Sequence, residues 1–183
     1  MKINNLHIKP KLSIFILKLT IELTALCMFG ACQVDDNDLS GVVGSKAPYF
    51  MLTSSEGNQI NLFDYKNKTV VLFFFGNESE SSKVAAKDIQ KRLVQSYTSR
   101  DDIVFLGLDH WNGDMALVRS FKSSTGVTFP LLLDAGNTAT NYKTTYDRLV
   151  IVDKNGNVVF SGTQNALDDI ATVKQKVDIL LAP

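Results

Sequence analysis

The chain has 183 residues, of which 45% are hydrophobic, and its 19 basic residues balance 19 acidic ones. This length and composition suit one globular domain with a short additional segment. Lysine and arginine form no stripe and are not interleaved with aromatic residues, so the sequence gives no indication of nucleic-acid binding. It also contains no uninterrupted run of 18 apolar residues of the kind that spans a membrane.

Residues 1–31 are predicted to form a signal peptide of the lipoprotein type. A lysine-containing start precedes an apolar stretch that ends at Phe29-Gly30-Ala31-Cys32. Small residues directly before a cysteine resemble the bacterial lipobox, and this resemblance implies cleavage before Cys32 and attachment of lipid to it. Lys18 and Glu22 interrupt the apolar stretch, so an ordinary signal peptide and an uncleaved amphipathic helix are the alternatives.

Residues 32–43 are predicted to form an acidic tether between this signal peptide and the folded domain. Its first part, Gln33–Asp38, contains three aspartates and is too short and polar to fold alone. Two interpretations stay open. The stretch is a solvated linker, or it acts like the similar acidic stretch that sends some lipoproteins of Gram-negative bacteria to the cell surface.

Cleavage before Cys32 would change the chemistry of the chain. It would remove four lysines and one glutamate, leaving 15 basic and 18 acidic residues and a net charge of about −3. It would also remove Cys27, while Cys32 would be blocked by lipid. The mature domain would then contain no free thiol, and His110 would be its only histidine.

The folded domain is predicted to span residues 44–183. Its first half begins with an extended segment that leads into an edge strand at Met51-Leu52. The uninterrupted apolar run Thr69–Phe75 predicts a central strand that is buried on both faces. A polar loop follows, and then a helix with one regularly spaced inward face, formed by Ala86, Ile89, Leu93 and Tyr97. Ile103–Asp109 is predicted to be a second buried strand.

The second half continues the alternation of helices and strands. Asn112 is expected to cap a helix, and Phe129–Asp134 to contain a short strand. Asn155-Gly156 lies between two strand-like runs and predicts a β-hairpin. Asn165 is expected to cap a last helix, whose predicted inner face consists of Leu167, Ile170, Val173, Val177 and Leu180 or Leu181. The predicted fold class is therefore α/β, a mixed central sheet with helices on both faces.

Four motifs in this order resemble those of a thioredoxin-fold redoxin of the peroxiredoxin/TlpA type, the alkyl hydroperoxide reductase and thiol-specific antioxidant group. They are Gly-x-x-Ala-Pro-x-Phe at Gly44–Phe50, Val-Leu-Phe-Phe-Phe at 71–75, Phe-Pro-Leu-Leu-Leu-Asp at Phe129–Asp134 and Val-Asp-Lys-Asn-Gly at Val152–Gly156. The resemblance covers about Gly44 to Leu181. It implies a thioredoxin-like fold and, for typical members, thiol-disulfide or peroxidase chemistry.

The same resemblance implies a degenerate active site. The family places its reactive cysteines between the central strand and the next helix, and the matching positions here are Ser79 and Ser82. A serine hydroxyl is barely acidic near neutral pH and cannot form a disulfide. The family's cis-proline position matches Asp147. We therefore expect a redox-inactive binding or accessory module without catalytic residues, whereas the family resemblance alone implies an active oxidoreductase or antioxidant peroxidase.

Other interpretations of the loop are open. Ser79 or Ser81 can cap the helix, with Glu78 and Glu80 placing negative charge near its start. A hydrolase would instead use Ser79 with His110 and an aspartate, either Asp109 or Asp147, although no Gly-x-Ser-x-Gly motif is present.

A binding surface is predicted at the same edge of the sheet. Its candidate residues are Asn77, Glu78, His110, Trp111 and Tyr146, with the two aromatic residues as anchors, although both aromatic rings could equally serve only to cover the end of the sheet. No cofactor and no metal site is predicted. The expected location is the bacterial cell envelope, with the lipid on Cys32 in a membrane and an envelope protein, not identified by the sequence, as the partner.

Overall fold

The structure, a computed structural model, describes residues 41–183. The predictions of a signal peptide at 1–31, of lipid on Cys32 and of most of the acidic tether lie outside the described residues. None of the helices within 41–183 is long and apolar enough to cross a membrane. Gly41 is buried and its N–H donates to the carbonyl of Lys46.

Seven strands and four α-helices follow one another in the described part of the chain. The strands are β1 (Met51–Thr53), β2 (Gln59–Asn61), β3 (Thr69–Phe75), β4 (Ile103–Asp109), β5 (Leu131–Leu132), β6 (Arg148–Val152) and β7 (Val158–Ser161). The helices are α1 (Glu80–Arg92), α2 (Met115–Thr125), α3 (Gly136–Asn141) and α4 (Ala166–Leu180). Short 3-10 turns occupy Leu62–Tyr65 and Val94–Tyr97.

The main sheet has five strands in the order β5-β4-β3-β6-β7. β3 and β4 pair in parallel, as do β4 and β5, whereas β6 runs antiparallel to both β3 and β7. This confirms the predicted mixed α/β sheet and the predicted bounds of β3 and β4. The hairpin at Asn155-Gly156 is also present, with Gly156 at a φ of 77°. β1 pairs only with β2, so those two strands form a separate small sheet.

The alternating side chains of β3 enter two different cores. Val71, Phe73 and Phe75 face a core that includes residues of α1, α2 and α4. Val70 and Leu72 face the other core, which includes residues of α3 and of the segment before β3. Burial on both faces explains why every residue of β3 is apolar or small. The buried residues that the structure describes in the two cores lie between Phe50 and Leu181.

Two details of the predicted helices are wrong. Asp114, not Asn112, caps α2, because its carboxylate accepts the N–H of Leu117 at 2.9 Å. Asn112 has a φ of 54° and accepts the N–H of Gly136 at 2.8 Å, which joins the loop after β4 to α3. Leu167 was expected on the inner face of α4 but is 36% exposed, because Ala166 takes the buried position at the start of the helix.

Asn165 and Ser79 stand at predicted capping positions, but only one of them makes the capping bond. Asn165 precedes α4 without a hydrogen bond from its side chain to the helix backbone. Ser79 precedes α1, and its hydroxyl accepts the N–H of Ser82. The prediction of a serine cap for the helix after the central strand is therefore confirmed for Ser79.

The contact between Phe75 and Phe121 provides a test of this packing. The two rings stack with centroids 4.3 Å apart, and Phe121 is 1% exposed. We expect Phe121→Ala to lower the free energy of unfolding by about 3–5 kcal/mol, because it leaves a cavity under β3. Leu117→Ala on the same helix is the matched control, since Leu117 is 38% exposed, and we expect a change within about 0.5 kcal/mol. Urea unfolding followed by circular dichroism measures both. Equal losses would contradict the assigned core face of α2.

Candidate functional site

The turn between β3 and α1 is held by two serine hydroxyls. Ser79 has extended backbone angles, and its Oγ accepts the N–H of Ser82 at 3.3 Å. Ser82 is fully buried, and its Oγ accepts the N–H of Gly76 at 3.2 Å. The Ser79 Oγ also lies 2.9 Å from the Oγ of Ser81 at the surface. The Ser82 N–H lies in the first turn of α1, where backbone N–H groups lack intrahelical partners, and the Gly76 N–H lies shortly before the helix. The two serine hydroxyls therefore satisfy both of these backbone donors.

Acidic side chains surround the start of α1. Glu78 and Glu80 are exposed, and the Glu80 carboxylate pairs with the Lys83 amine at 2.6 Å. The hydrogen bond from Lys83, with its positive charge, lowers the pKa of Glu80 from its ordinary value. Negative charge at this position also interacts favourably with the positive end of the helix dipole. The arrangement stabilises the helix start.

Asn77 and Asp109 form a buried connection between the ends of β3 and β4. The Asn77 Nδ2 donates to both carboxylate oxygens of Asp109, at 3.1 and 2.9 Å. The same carboxylate accepts the backbone N–H groups of Trp111 at 3.2 Å and of Gly113 at 2.5 Å. Asn77 is 5% exposed and Asp109 is fully buried. Asn77, predicted as part of a binding surface, therefore lies beneath that surface and fixes the loop that follows β4.

Burial raises the pKa of the Asp109 carboxyl above its ordinary value. The hydrogen bonds from Asn77, Gly113 and Trp111 act in the opposite direction but do not cancel the effect of burial. Gly113 has no space for a side chain, because a Cβ there would lie 2.1 Å from the Asn77 Nδ2. The carboxylate thus depends on a closely packed backbone loop for its partners.

Trp111, Tyr146 and His110 form an aromatic cluster beside the turn. The Trp111 and Tyr146 rings meet edge to face with centroids 5.0 Å apart, and the His110 ring lies 5.9 Å from that of Tyr146. Trp111 is 42% and Tyr146 is 38% exposed. Trp111 also lies over Gly76, where a Cβ would come within 2.7 Å of its ring. Two large aromatic side chains are thereby fixed in position and partly open to solvent.

Asp147 follows Tyr146 and has an unusual conformation. Its φ is 57°, in the left-handed region that non-glycine residues seldom adopt, and the residue is 3% exposed. Its carbonyl accepts the N–H of Ala166 and a guanidinium N–H of Arg148, both at 2.9 Å. Its Oδ1 and the Nδ1 of His110 are buried and have no hydrogen-bond partner among the described residues. Two polar atoms with unused hydrogen-bonding capacity thus lie on the two residues that flank the aromatic pair.

The structure therefore brings together His110, Trp111 and Tyr146, and separately joins Ser79 to Ser82. It shows no hydrogen bond from Ser79 to His110 or to an aspartate in residues 41–183, so the hydrogen-bonded triad of a serine hydrolase is not formed. Asp109 is directed instead at Asn77 and the loop amides. Within the same residues, no three side chains of His, Cys, Asp or Glu are grouped closely enough to hold a metal ion.

Sequence reasoning missed the structural roles of Gly76, Asn77, Asp109 and Gly113. The available signal was a glycine or a small polar residue directly after each central strand, at 76–77 and 109–113. Because parallel strands end at the same edge of a sheet, these residues could have been expected to meet. Nothing in the sequence indicated which of them would be buried.

The sequence of this domain matches a known protein family. The sequence model of the AhpC/TSA family matches residues 43–161. The chain belongs to the AhpC/TSA family. This AhpC/TSA match includes β3, β4 and the turn before α1, so the thioredoxin-fold redoxin predicted from the sequence motifs is confirmed.

Curated AhpC/TSA relatives and solved structures agree with this assignment. A Coxiella burnetii protein named "Putative peroxiredoxin bcp" is 34% identical over 113 residues, covering 62% of this chain and 70% of that protein. The thiol-disulfide oxidoreductase ResA of Bacillus thuringiensis is 32% identical over 96 residues, covering 51% of this chain and 53% of that protein. The chain thus spans about half the length of the latter. The solution structure of a "putative protein disulfide isomerase" from Bacteroides thetaiotaomicron is similar with a TM-score of 0.69 and 25% identity, covering 76% and 90% of the two chains.

The buried carboxylate of Asp109 generates a prediction with a defined pH dependence. We expect Asp109→Asn to lower the free energy of unfolding by about 1–3 kcal/mol, because an amide nitrogen would face a backbone N–H. The pKa of Asp109 is raised in the folded state, so the Asp109 carboxylate binds a proton more readily in the folded protein than in the unfolded chain. The associated stability is fully present below the unfolded pKa and is lost as the pH rises through the folded pKa. The difference between wild type and variant should therefore be larger at about pH 4 than at about pH 7.

Asp102→Asn is the control of opposite sign for the same urea titrations. The hydrogen bond from Arg100 lowers the pKa of Asp102, so its contribution is present above the unfolded pKa and is lost as the pH falls. The difference in the free energy of unfolding between wild type and Asp102→Asn should therefore become smaller as the pH falls. An Asp109→Asn difference that also narrows toward acid would contradict the assigned effect of burial.

Proposed function

We propose that this chain is an envelope-located thioredoxin-like module that has lost thiol chemistry and acts by binding another protein. The observation that carries the proposal is the state of the two serines at the start of α1. The Ser82 hydroxyl is fully buried and accepts the Gly76 N–H, and the Ser79 hydroxyl accepts the Ser82 N–H. Both groups serve the backbone of the turn.

Ser79 and Ser82 are assigned to the positions that reactive cysteines occupy in redox-active members of the family. They stand at the N-terminus of the helix that follows the central strand, where a helix dipole would favour a thiolate. Residues 33–183 contain no cysteine at all. Replacing sulfur with oxygen removes disulfide exchange, because a hydroxyl neither forms a disulfide nor carries the two electrons of the reaction.

Asp147 is assigned to the position of the family's cis-proline. No proline occurs between Leu131 and Ala182, and the backbone of Asp147 is held by Ala166 and Arg148. A left-handed residue with an occupied carbonyl presents a different surface from an extended proline segment. This supports loss of the redox substrate site together with the thiols.

The proposed binding surface consists of Glu78, His110, Trp111 and Tyr146, above the buried Asn77. Two half-exposed aromatic rings held against Gly76 and each other are suited to anchor a partner, because they lose little side-chain entropy on binding.

The envelope location follows from the lipobox resemblance at Cys32. In this proposal residues 1–31 are removed, lipid is attached to Cys32, and residues 32–43 include the tether that leads to the folded domain. The membrane would be the outer membrane, with the domain facing the periplasm or the cell surface. The second candidate function is a thiol-disulfide oxidoreductase or peroxiredoxin, which the family supports and which requires a thiol supplied from outside residues 33–183.

The assignment of the loop predicts that thiol chemistry can be partly restored. We expect Ser79→Cys with Ser82→Cys to form an intraloop disulfide under mild oxidant, because the family's turn geometry is retained. Mass spectrometry after alkylation measures the bridge. Ser81→Cys with Ser82→Cys is the matched control, since adjacent residues on a helix do not face each other. Equal or absent oxidation in both variants would contradict the alignment of the loop.

The binding role predicts a partner that depends on the aromatic pair. After crosslinking in native membranes, we expect Trp111→Ala and Tyr146→Ala each to reduce recovery of the partner at least tenfold, because both remove anchoring contact area. Tyr49→Ala is the matched control, since Tyr49 is a 49% exposed aromatic residue outside the proposed surface. Equal recovery with all three variants would overturn this surface, and recovery reduced equally by Tyr49→Ala would show a nonspecific contact.

A further inference from the structure

A cavity of about 570 Å³ lies at the other end of the central strands. It is lined where β3 begins, at Val70, and where β6 ends, at Val152, two residues that pair across the sheet. β3 runs from this cavity to the turn between β3 and α1, so the full length of the strand, seven residues, separates the cavity from that turn. The volume is within the range of sites for small molecules.

The floor of the cavity is apolar. Leu62, Val70 and Val152 line it and belong to the buried core on this face of the sheet. Ala47 and Tyr65 line it from the side and are only partly buried. A hydrocarbon group placed against these side chains would exclude water from an apolar surface that the domain leaves uncovered.

Four lysines line the same cavity, at positions 46, 66, 68 and 154. None of their amines forms an ion pair with a carboxylate of residues 41–183. The Lys46 amine donates to the Asn155 carbonyl at 3.0 Å, and the Lys66 amine lies over the Phe63 ring at 5.6 Å. Four positive charges beside an apolar floor give the cavity an amphipathic lining with an excess of positive charge.

Asp153 is the only carboxylate among the described residues of the cavity lining, and it is already engaged. Asp153 accepts the N–H groups of Asn155 at 2.9 Å and of Asn157 at 2.8 Å, which closes the turn between β6 and β7. Its Oδ2 is also approached by the amide groups of both asparagines. The hairpin thereby holds this carboxylate in the turn, and four lysines against one carboxylate leave the lining with an excess of positive charge.

We propose that this lysine-lined cavity binds an anionic phospholipid, with the phosphate of the headgroup among the lysines and part of an acyl chain on the apolar floor. The opposing properties of floor and rim select an amphiphile over a purely apolar or purely ionic ligand. Lysine amines bind phosphate as point charges, and anionic membrane surfaces attract clustered lysines.

With lipid on Cys32, as proposed above, the chain would bring this cavity close to a membrane. The Gly41 N–H donates to the carbonyl of Lys46, so the chain enters the domain beside one of the four lysines. The nine peptide links from Cys32 to Gly41 span at most about 30 Å when extended. The closeness of the cavity to membrane lipid rests on the proposed lipidation of Cys32, whereas the ability of the cavity to bind the lipid does not.

The direct test titrates isotope-labelled residues 33–183, which contain both of the described hydrophobic cores, with monomeric dihexanoyl-phosphatidylglycerol. We expect chemical-shift changes centred on residues 46–47, 62–70 and 152–156. The domain should bind dihexanoyl-phosphatidylglycerol at least fivefold more tightly than either of two comparison ligands. One is dihexanoyl-phosphatidylcholine, which has the same acyl chains but no net charge, and the other is glycerol phosphate, which has no acyl chains.

Charge and volume are tested separately by substitution. We expect Lys66→Glu with Lys154→Glu to weaken binding at least tenfold, and Ala47→Trp to weaken it similarly by filling the cavity. Lys87→Glu with Lys91→Glu is the matched control, because it changes the net charge equally at exposed positions of α1 outside the cavity, and it should leave the affinity within twofold.

Five results would overturn the proposal. Glycerol phosphate binding as tightly as the lipid would reduce the site to a simple anion contact. Equal affinity for the two phospholipids would remove the role of the lysines. An equal loss in the control pair would reduce the effect to net charge, and shifts confined to the Trp111 edge, or no binding, would exclude the cavity. Each of these results is separate from the tests of the redox turn.

Discussion

The hydrogen bonds between the buried Asn77 amide and the Asp109 carboxylate hold together the ends of the two central strands. Because the same carboxylate accepts loop N–H groups up to Gly113, it determines the path of the chain after β4. That path places Trp111 over Gly76 and against Tyr146. A charged group buried without partners would be costly, so the loop is held in the one arrangement that satisfies it. The candidate binding surface thus depends on a polar group that the surface does not expose.

Hydrogen bonds at the same edge of the sheet show how the turn between β3 and α1 is stabilised without cysteine residues. In the proposed interpretation, the hydroxyls at 79 and 82 replace only the part of cysteine that the fold needs, namely a small polar group at a helix start. Ser79 caps the helix and Ser82 satisfies the Gly76 N–H, so the fold uses both hydroxyls and does not depend on sulfur at either position. The surface beside the turn keeps two ordered aromatic rings, and these are the features that a binding module would retain.

Local patterns made much of this architecture predictable. The uninterrupted apolar runs gave β3 and β4 their bounds because buried parallel strands tolerate few polar residues, and Asn155-Gly156 specified its hairpin through a turn that needs positive φ. The cap of α2 was misassigned because Asn112 and Asp114 are both good capping residues, and a distant contact with Gly136 decided between them. The connection between residues 77 and 109 and the lysine-lined cavity join positions far apart in the chain, so no local pattern contained them.

The central claim is that the fold carries no thiol chemistry of its own, and turnover by the domain tests it most directly. Purified residues 33–183 would be assayed for insulin reduction with a dithiol reductant and for peroxide consumption, with an active thiol-disulfide oxidoreductase measured in parallel. The account predicts rates equal to the background without protein in both assays, because no cysteine is present in this segment. A rate above background that grows in proportion to the protein concentration would contradict it.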